Sequence, residues 1–148
     1  MRNLFVASDH AGLNLKWALT AAVDGTRFSV EDLGPHEKRS VDYPDFAQAV
    51  AQRVAQAPGS LGLLVCGTGI GMSIAANKVA GARAALCRSE FEARMARQHN
   101  DANILCLGER VTGQGLAEVI LSTFLTTEAE GGRHAARVDK IRKLERLP

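Results

Sequence analysis

At 148 residues, 46% of them apolar and 23% charged, the chain has material for one core, and residues 1–148 are expected to form one domain. No apolar run approaches the length that spans a bilayer, and the opening MRNLFVASDH turns polar too soon for a secretion signal, which points to a cytoplasmic protein without membrane contact. The net charge of +2 is uneven, with six Lys/Arg against two acids from Arg133 onward, but so short a basic segment without interleaved aromatics is too small a footprint for nucleic acid.

In chain order, Leu4 to Ala7 is a short apolar strand ending at SDHAG, and LKWALTAAV has helical periodicity up to the stop at Asp24-Gly25. Phe28 to Leu33 reads as a second strand, followed by the polar loop GPHEKRSVDYP and a helix from Asp45 to Gln56 with Phe46, Ala49, Val50 and Val54 as its stripe. Leu61 to Val65, apolar without alternation, is a strand covered on both faces. A glycine-rich turn leads from it into a helical run, Ser73 to Val79. Then come a strand over Ala82 to Cys87, a helix from Ser89 to His99, the strand NILCLG and a helix from Gly115 to Leu125. Five strand–helix units with short connections predict an α/β fold with a parallel sheet between two helix layers. A last helix begins after Gly131-Gly132 with the stripe Val138, Ile141 and Leu144, which covers either its own subunit or a neighbouring one.

The turn CGTGIGMSIAANK carries the first chemistry. Its glycines either make a tight strand-to-helix turn or let an anion approach bare N–H groups at the helix start. It is no P-loop, because Met72-Ser73 stand where Gly-Lys is required, and no dinucleotide fingerprint, because Met72 occupies a required Gly. Ligands of such sheets sit beyond the carboxyl ends of the strands, and SDH, DYP, the glycine turn and GER all collect there. Asp9-His10 also reads as a helix cap, and His99-Asn100 as a helix C-terminus. Of three cysteines, Cys87 and Cys106 read as small hydrophobes and Cys66 alone adjoins a helix start. Without metal-type spacings, neither a structural nor a catalytic metal is expected. Arg133 and Arg137, four apart, share a helix face and are a candidate fork for a phosphate.

ASDHAGLNLK, VDYPDFA, CGTGIGMSIAANKVAGARAALC, ARQHNDANILCLG and EGGRHAARV, in this order along nearly the whole chain, resemble the type B ribose-5-phosphate isomerases, a family that includes allose- and galactose-6-phosphate isomerases. The resemblance implies a Rossmann-like three-layer α/β/α sandwich with a five-stranded parallel sheet and an extra C-terminal helix. It also implies a metal-independent aldose–ketose isomerase without cofactor, acting on a sugar phosphate as a homodimer or dimer of dimers with active sites at the subunit interface. It assigns the base to Cys66, ring opening to His99 with Thr68, hydroxyl contacts to Asp9, Tyr43 and Asn100, and phosphate binding to His10, Arg110, Arg133 and Arg137. The N–H groups of Gly67, Gly69, Gly71, Met72 and Ser73 would form the anion hole. One branch of the family has a glutamate base at the position of Met72, so this chain falls in the cysteine branch. Ribose 5-phosphate is the expected substrate, with allose 6-phosphate as the alternative. A non-catalytic sugar-phosphate sensor and a hydrolase built on a Cys66/His99 pair are readings from other classes.

Overall fold

The computed structural model describes residues 1–146. The elements are β1 (Arg2–Ser8), α1 (Leu13–Ala22), β2 (Phe28–Asp32), α2 (Tyr43–Gln56), β3 (Leu61–Cys66), α3 (Ile70–Ala76), β4 (Ala84–Leu86), α4 (Glu90–Asn100), β5 (Ile104–Gly108), α5 (Gln114–Thr126) and α6 (Arg133–Leu144). The strands pair in parallel in the order β2-β1-β3-β5-β4. Successive residues of a strand face opposite sides, so β1, β3 and β5 feed two cores. One holds Leu4, Val6, Leu63, Val65, Leu105 and Leu107 with the apolar faces of α1, α4 and α5. The other holds Phe5, Ala7, Leu64, Cys66, Ile104 and Cys106 against α2 and α3. This is the three-layer α/β/α sandwich with a five-stranded parallel sheet.

Some boundaries differ from expectation for local reasons. α2 begins at Tyr43 rather than Asp45, since Pro44 fits a first helical turn where its missing N–H costs nothing. Its buried row is Ala47, Val50, Ala51 and Val54, with Phe46 and Ala49 only half-buried. α3 begins at Ile70, three residues before Ser73, because Gly69 at φ +78° turns the chain straight into the helix. β4 shrinks to three residues at the sheet edge. α6 packs on α4 through Val138 and His134, while Ile141 and Leu144, expected to be buried in some interface, are exposed in the single chain.

Two buried cations fasten the loops that carry polar residues. The ammonium of Lys16, with no exposed surface, donates to Asp32 Oδ1 at 2.8 Å and to the Pro35 carbonyl at 2.7 Å, so α1 holds the connection leading from β2 towards Tyr43. Lys16→Met keeps the stem and removes both charge-assisted bonds, and is expected to lower stability by about 2 to 4 kcal/mol in urea unfolding. A loss below about 0.5 kcal/mol would show that this clamp contributes little. Arg97, also buried, donates to the carbonyls of Ala102 and Thr127 and to Asp101 Oδ1. Asp101 additionally receives Arg83 and Arg142, so three arginines converge on the residue that ends α4 in the left-handed region at φ +43°.

Candidate active site

The strand order reverses at β1, with β2 on one side and β3 on the other, and sheets of this kind hold their ligands beyond the carboxyl ends of the strands at that point. Ser8 pairs with Val65 and Cys66 with Gly108, which sets the turns after β1, β3 and β5 side by side. The backbone stitches them together: Asp9 N–H donates to the Val65 carbonyl, Glu109 N–H to the Cys66 carbonyl and Arg110 N–H to the Gly67 carbonyl. Asp9, His10, Tyr43, the turn Cys66–Ser73 and Arg110 therefore share one end of the sheet.

Cys66 is 5% exposed, and its Sγ accepts the Gly69 N–H at 3.1 Å. Asp9 is not the cap of α1, whose N-cap is Gly12 without a side-chain bond; it closes the turn before the helix and remains a candidate ligand. Its Oδ1 accepts the N–H groups of Ala11 and Gly12 at 2.9 and 3.1 Å, and Oδ2 has no partner among the described residues. His10 is exposed, and its Nδ1 accepts the Val41 N–H at 3.3 Å, which leaves Nε2 to carry the proton and to donate outward. Thr68 is exposed, with Oγ1 accepting the Ile70 N–H, and the Ser73 hydroxyl donates to the Ile70 carbonyl at 2.8 Å.

The glycines of the turn have separate reasons. A Cβ at Gly69 would lie 2.6 Å from Leu86 Cδ1 and 3.0 Å from the Leu107 carbonyl carbon, and one at Gly71 would lie 2.6 Å from the Tyr43 ring. These two positions are small because protein fills the space, which corrects the simple picture of three glycines opening a path for a ligand. Gly67 alone faces a candidate ligand group, the Arg110 guanidinium at 3.5 Å. Met72 is fully buried in the α2–α3 core, so only its backbone remains to face a ligand.

The other two cysteines are structural. Cys87 and Cys106 are buried, and desolvation pushes the Cys87 thiol up to about 12 and the Cys106 thiol higher still. Both stay protonated in the fold, while in the unfolded chain they ionise near pH 8.5; the pair therefore removes stability as pH rises above about 9. Iodoacetamide at pH 8 is expected to label Cys66 alone in the native chain and all three cysteines in urea. Native labelling of Cys106 ahead of Cys66 would contradict this assignment.

His99, Asn100, Arg133 and Arg137 lie elsewhere. α4 runs antiparallel to the strands, so its last turn returns to the amino end of the sheet. There Asn103 N–H donates to the Arg83 carbonyl, Glu130 N–H to the Gln98 carbonyl and Gly81 N–H to Glu145, the residue that follows α6. About 15 Å of strand separates these residues from the turn at Cys66. A Cys66/His99 pair within one chain is therefore ruled out, and with it an intrachain hydrolase dyad. Asn100 closes the last helical turn, and the left-handed residue is Asp101. Arg133 and Arg137 are exposed on α6 and, like Arg110, make no ion pair among the described residues.

His134 is the residue whose role the sequence left open. Its ring stacks on that of His99 with centroids 4.1 Å apart and planes within 3°, and Glu130 Oε2 lies 3.5 Å from its Nε2. Burial, then the neighbouring His99, lower its pKa and favour the neutral ring. Asp101, which gathers three arginines below this turn, was not foreseen either: Arg83, Arg97 and Arg142 are too scattered for spacing to associate them.

Fold and geometry together define a doubly wound α/β protein with two groups of candidate site residues at opposite ends of one sheet, a thiol beside the N–H groups of a helix start and a histidine beside arginines without an ion pair among the described residues. Residues 4–141 match the ribose/galactose isomerase family. Ribose-5-phosphate isomerase B of Escherichia coli is 42% identical over 145 residues, covering 98% of this chain and 97% of that one. Among solved structures, ribose-5-phosphate isomerase B of Clostridium thermocellum is 50% identical with a TM-score of 0.93, covering 97% of each chain. That of Mycoplasma genitalium, with bound ribulose-5-phosphate, is 46% identical with a TM-score of 0.94, covering 99% of this chain and 97% of that one. The chain belongs to the ribose/galactose isomerase family and is an isomerase.

Proposed function

We propose that this protein interconverts ribose 5-phosphate and ribulose 5-phosphate through an enediolate, with Cys66 as the base and no metal. The observation that carries the reading is the Cys66 thiol at the end of β3, receiving the Gly69 N–H beside Gly67 and Arg110. Thiolate takes the proton from C2 of the open-chain aldose, the C2–H electron pair enters the enediolate, and the thiol returns the proton to C1. As the carbonyl moves from C1 to C2, a proton passes from the C2 hydroxyl to the oxygen on C1. The N–H groups at the start of α3 stabilise the oxyanion, while Asp9, Tyr43 and Asn100 hold hydroxyls.

Ring opening belongs to His99 with Thr68, and the phosphate to His10, Arg110, Arg133 and Arg137. These residues meet across two chains: the amino-end half-site of one subunit completes the carboxyl-end half-site of the other in a homodimer. The separation of the half-sites supports this arrangement, as do the exposed Ile70, Ile74 and Val111, apolar surface beside the carboxyl-end half that a second copy would cover. A metabolic enzyme of this kind belongs in the cytoplasm.

An NMR assay of ribose 5-phosphate turning into ribulose 5-phosphate in the presence of EDTA tests the reaction. No conversion would leave a sensor, and a larger kcat/KM for allose 6-phosphate would move the assignment to hexose phosphates. Arg133→Ala and Arg137→Ala should each weaken substrate binding roughly tenfold to a hundredfold, by loss of a charge-assisted hydrogen bond of about 1.5 to 3 kcal/mol. The double variant should fall short of the sum, since both residues serve one anion. Unphosphorylated ribose, a poor substrate, should be indifferent to either change. Equal losses on both sugars would remove the arginines from the phosphate.

A further inference from the structure

Ring opening needs one imidazole at the end of α4, yet three metal-binding side chains meet there. His99 stands on the last turn of α4, His134 on the first turn of α6, and Glu130 in the connection before α6, which its N–H bond to the Gln98 carbonyl pins to α4. Their ligand atoms all lie within 4.8 Å of one another. A tetrahedral ion with bonds of about 2.0 to 2.2 Å needs donors about 3.3 to 3.5 Å apart. The edge from Glu130 Oε2 to His134 Nε2 already measures 3.5 Å.

An ion bound by both imidazoles must lie in the plane of each ring, so closing the set requires His99, half-buried, to turn out of its parallel stack on the buried His134 while exposed Glu130 swings in, both by rotation about side-chain bonds. Burial also favours the neutral His134 ring, leaving a lone pair to give. Asp101 and Arg142 line the same hollow but are engaged with each other. Arg133 and Arg137 nearby oppose a cation and moderate its affinity. Two imidazoles and a carboxylate suit zinc, cobalt, nickel and copper, and suit magnesium and calcium poorly.

We propose that His99, Glu130 and His134 form a site for a divalent transition-metal ion such as Zn²⁺, and that its occupation withdraws His99 from the isomerase reaction. The site is inhibitory, so the metal-free enzyme is the active one. The withdrawal of His99 rests on the isomerase reading; the binding of the ion does not.

Equilibrium dialysis of the intact protein against ZnCl₂ in excess Mg²⁺ tests binding without substrate. Cys66→Ser serves as the background, so that its thiolate does not compete. One Zn²⁺ per chain is expected, with affinity at least tenfold weaker after Glu130→Gln and after His134→Ala, and Co²⁺ in its place should give visible bands without a sulfur charge-transfer band. No retained Zn²⁺ at micromolar concentrations, or retention unchanged by both substitutions, would overturn the site. In the assay with wild-type Cys66, Zn²⁺ should inhibit, EDTA should restore the rate, and Glu130→Gln, which lies outside the catalytic set, should need at least tenfold more Zn²⁺. Zn²⁺ bound with the rate unchanged would overturn the inhibitory half. A chain without isomerase activity in EDTA would instead count against the reaction while leaving the dialysis result standing.

Discussion

Cys66→Ala is expected to lower kcat by roughly 10² to 10⁴, with KM changed little. The size follows from the role of a positioned acid–base group. The near-constant KM follows from geometry, because the thiol of a residue only 5% exposed, turned onto the Gly69 N–H, is not a main binding contact. No neighbour can substitute: Met72, where part of the family has its carboxylate, is buried and its thioether accepts no proton. Cys66→Ser keeps the shape with a much less acidic group and should fall nearly as far. A Cys66→Ala enzyme retaining more than half of the wild-type kcat would remove the thiol from the mechanism.

A mixture of two inactive chains should recover activity. In a hybrid dimer of Cys66→Ala and His99→Asn, one composite site carries both defects, and the other joins the intact Cys66 of one chain to the intact His99 of its partner. Refolding the two variants together at equal concentration gives hybrids as half of the dimers, each with one working site, so about a quarter of the wild-type rate should return. Either variant alone, refolded in the same way, should stay low. Were each site built within one chain, no hybrid would contain an intact one and the rate would not rise above the average of the parents. The same experiment reports the oligomer, because a monomer cannot complement.

The two experiments address different kinds of information. Cys66 was legible as a candidate because its setting is local: an apolar strand ends, a helix starts within a few residues, and the thiol between them meets an N–H group of the turn. The same locality made Asp9, His10 and Arg110 visible, each within two residues of the end of β1 or β5. Arg133 and Arg137 were legible as a pair from their spacing of four, and His99 and Asn100 gained a role through family resemblance, but the distance of all four from Cys66 was invisible along the chain, since it depends on α4 running antiparallel to the sheet.

The sequence by itself determined the number, type and order of the elements up to α6, because period-two and period-3.6 burial are written in consecutive residues and a parallel sheet needs its strands apolar on both faces. Tertiary structure alone decided the strand order with β5 between β3 and β4, the closure of Gly69 and Gly71 by Leu86 and Tyr43, the gathering of Arg83, Arg97 and Arg142 on Asp101, and the stacking of His134 on His99. Each of these joins residues from separate elements. A linear pattern records which face of an element is buried, whereas the partner that buries it is chosen only when all the faces are packed together, by shape and by the need of every buried charge for a counter-charge.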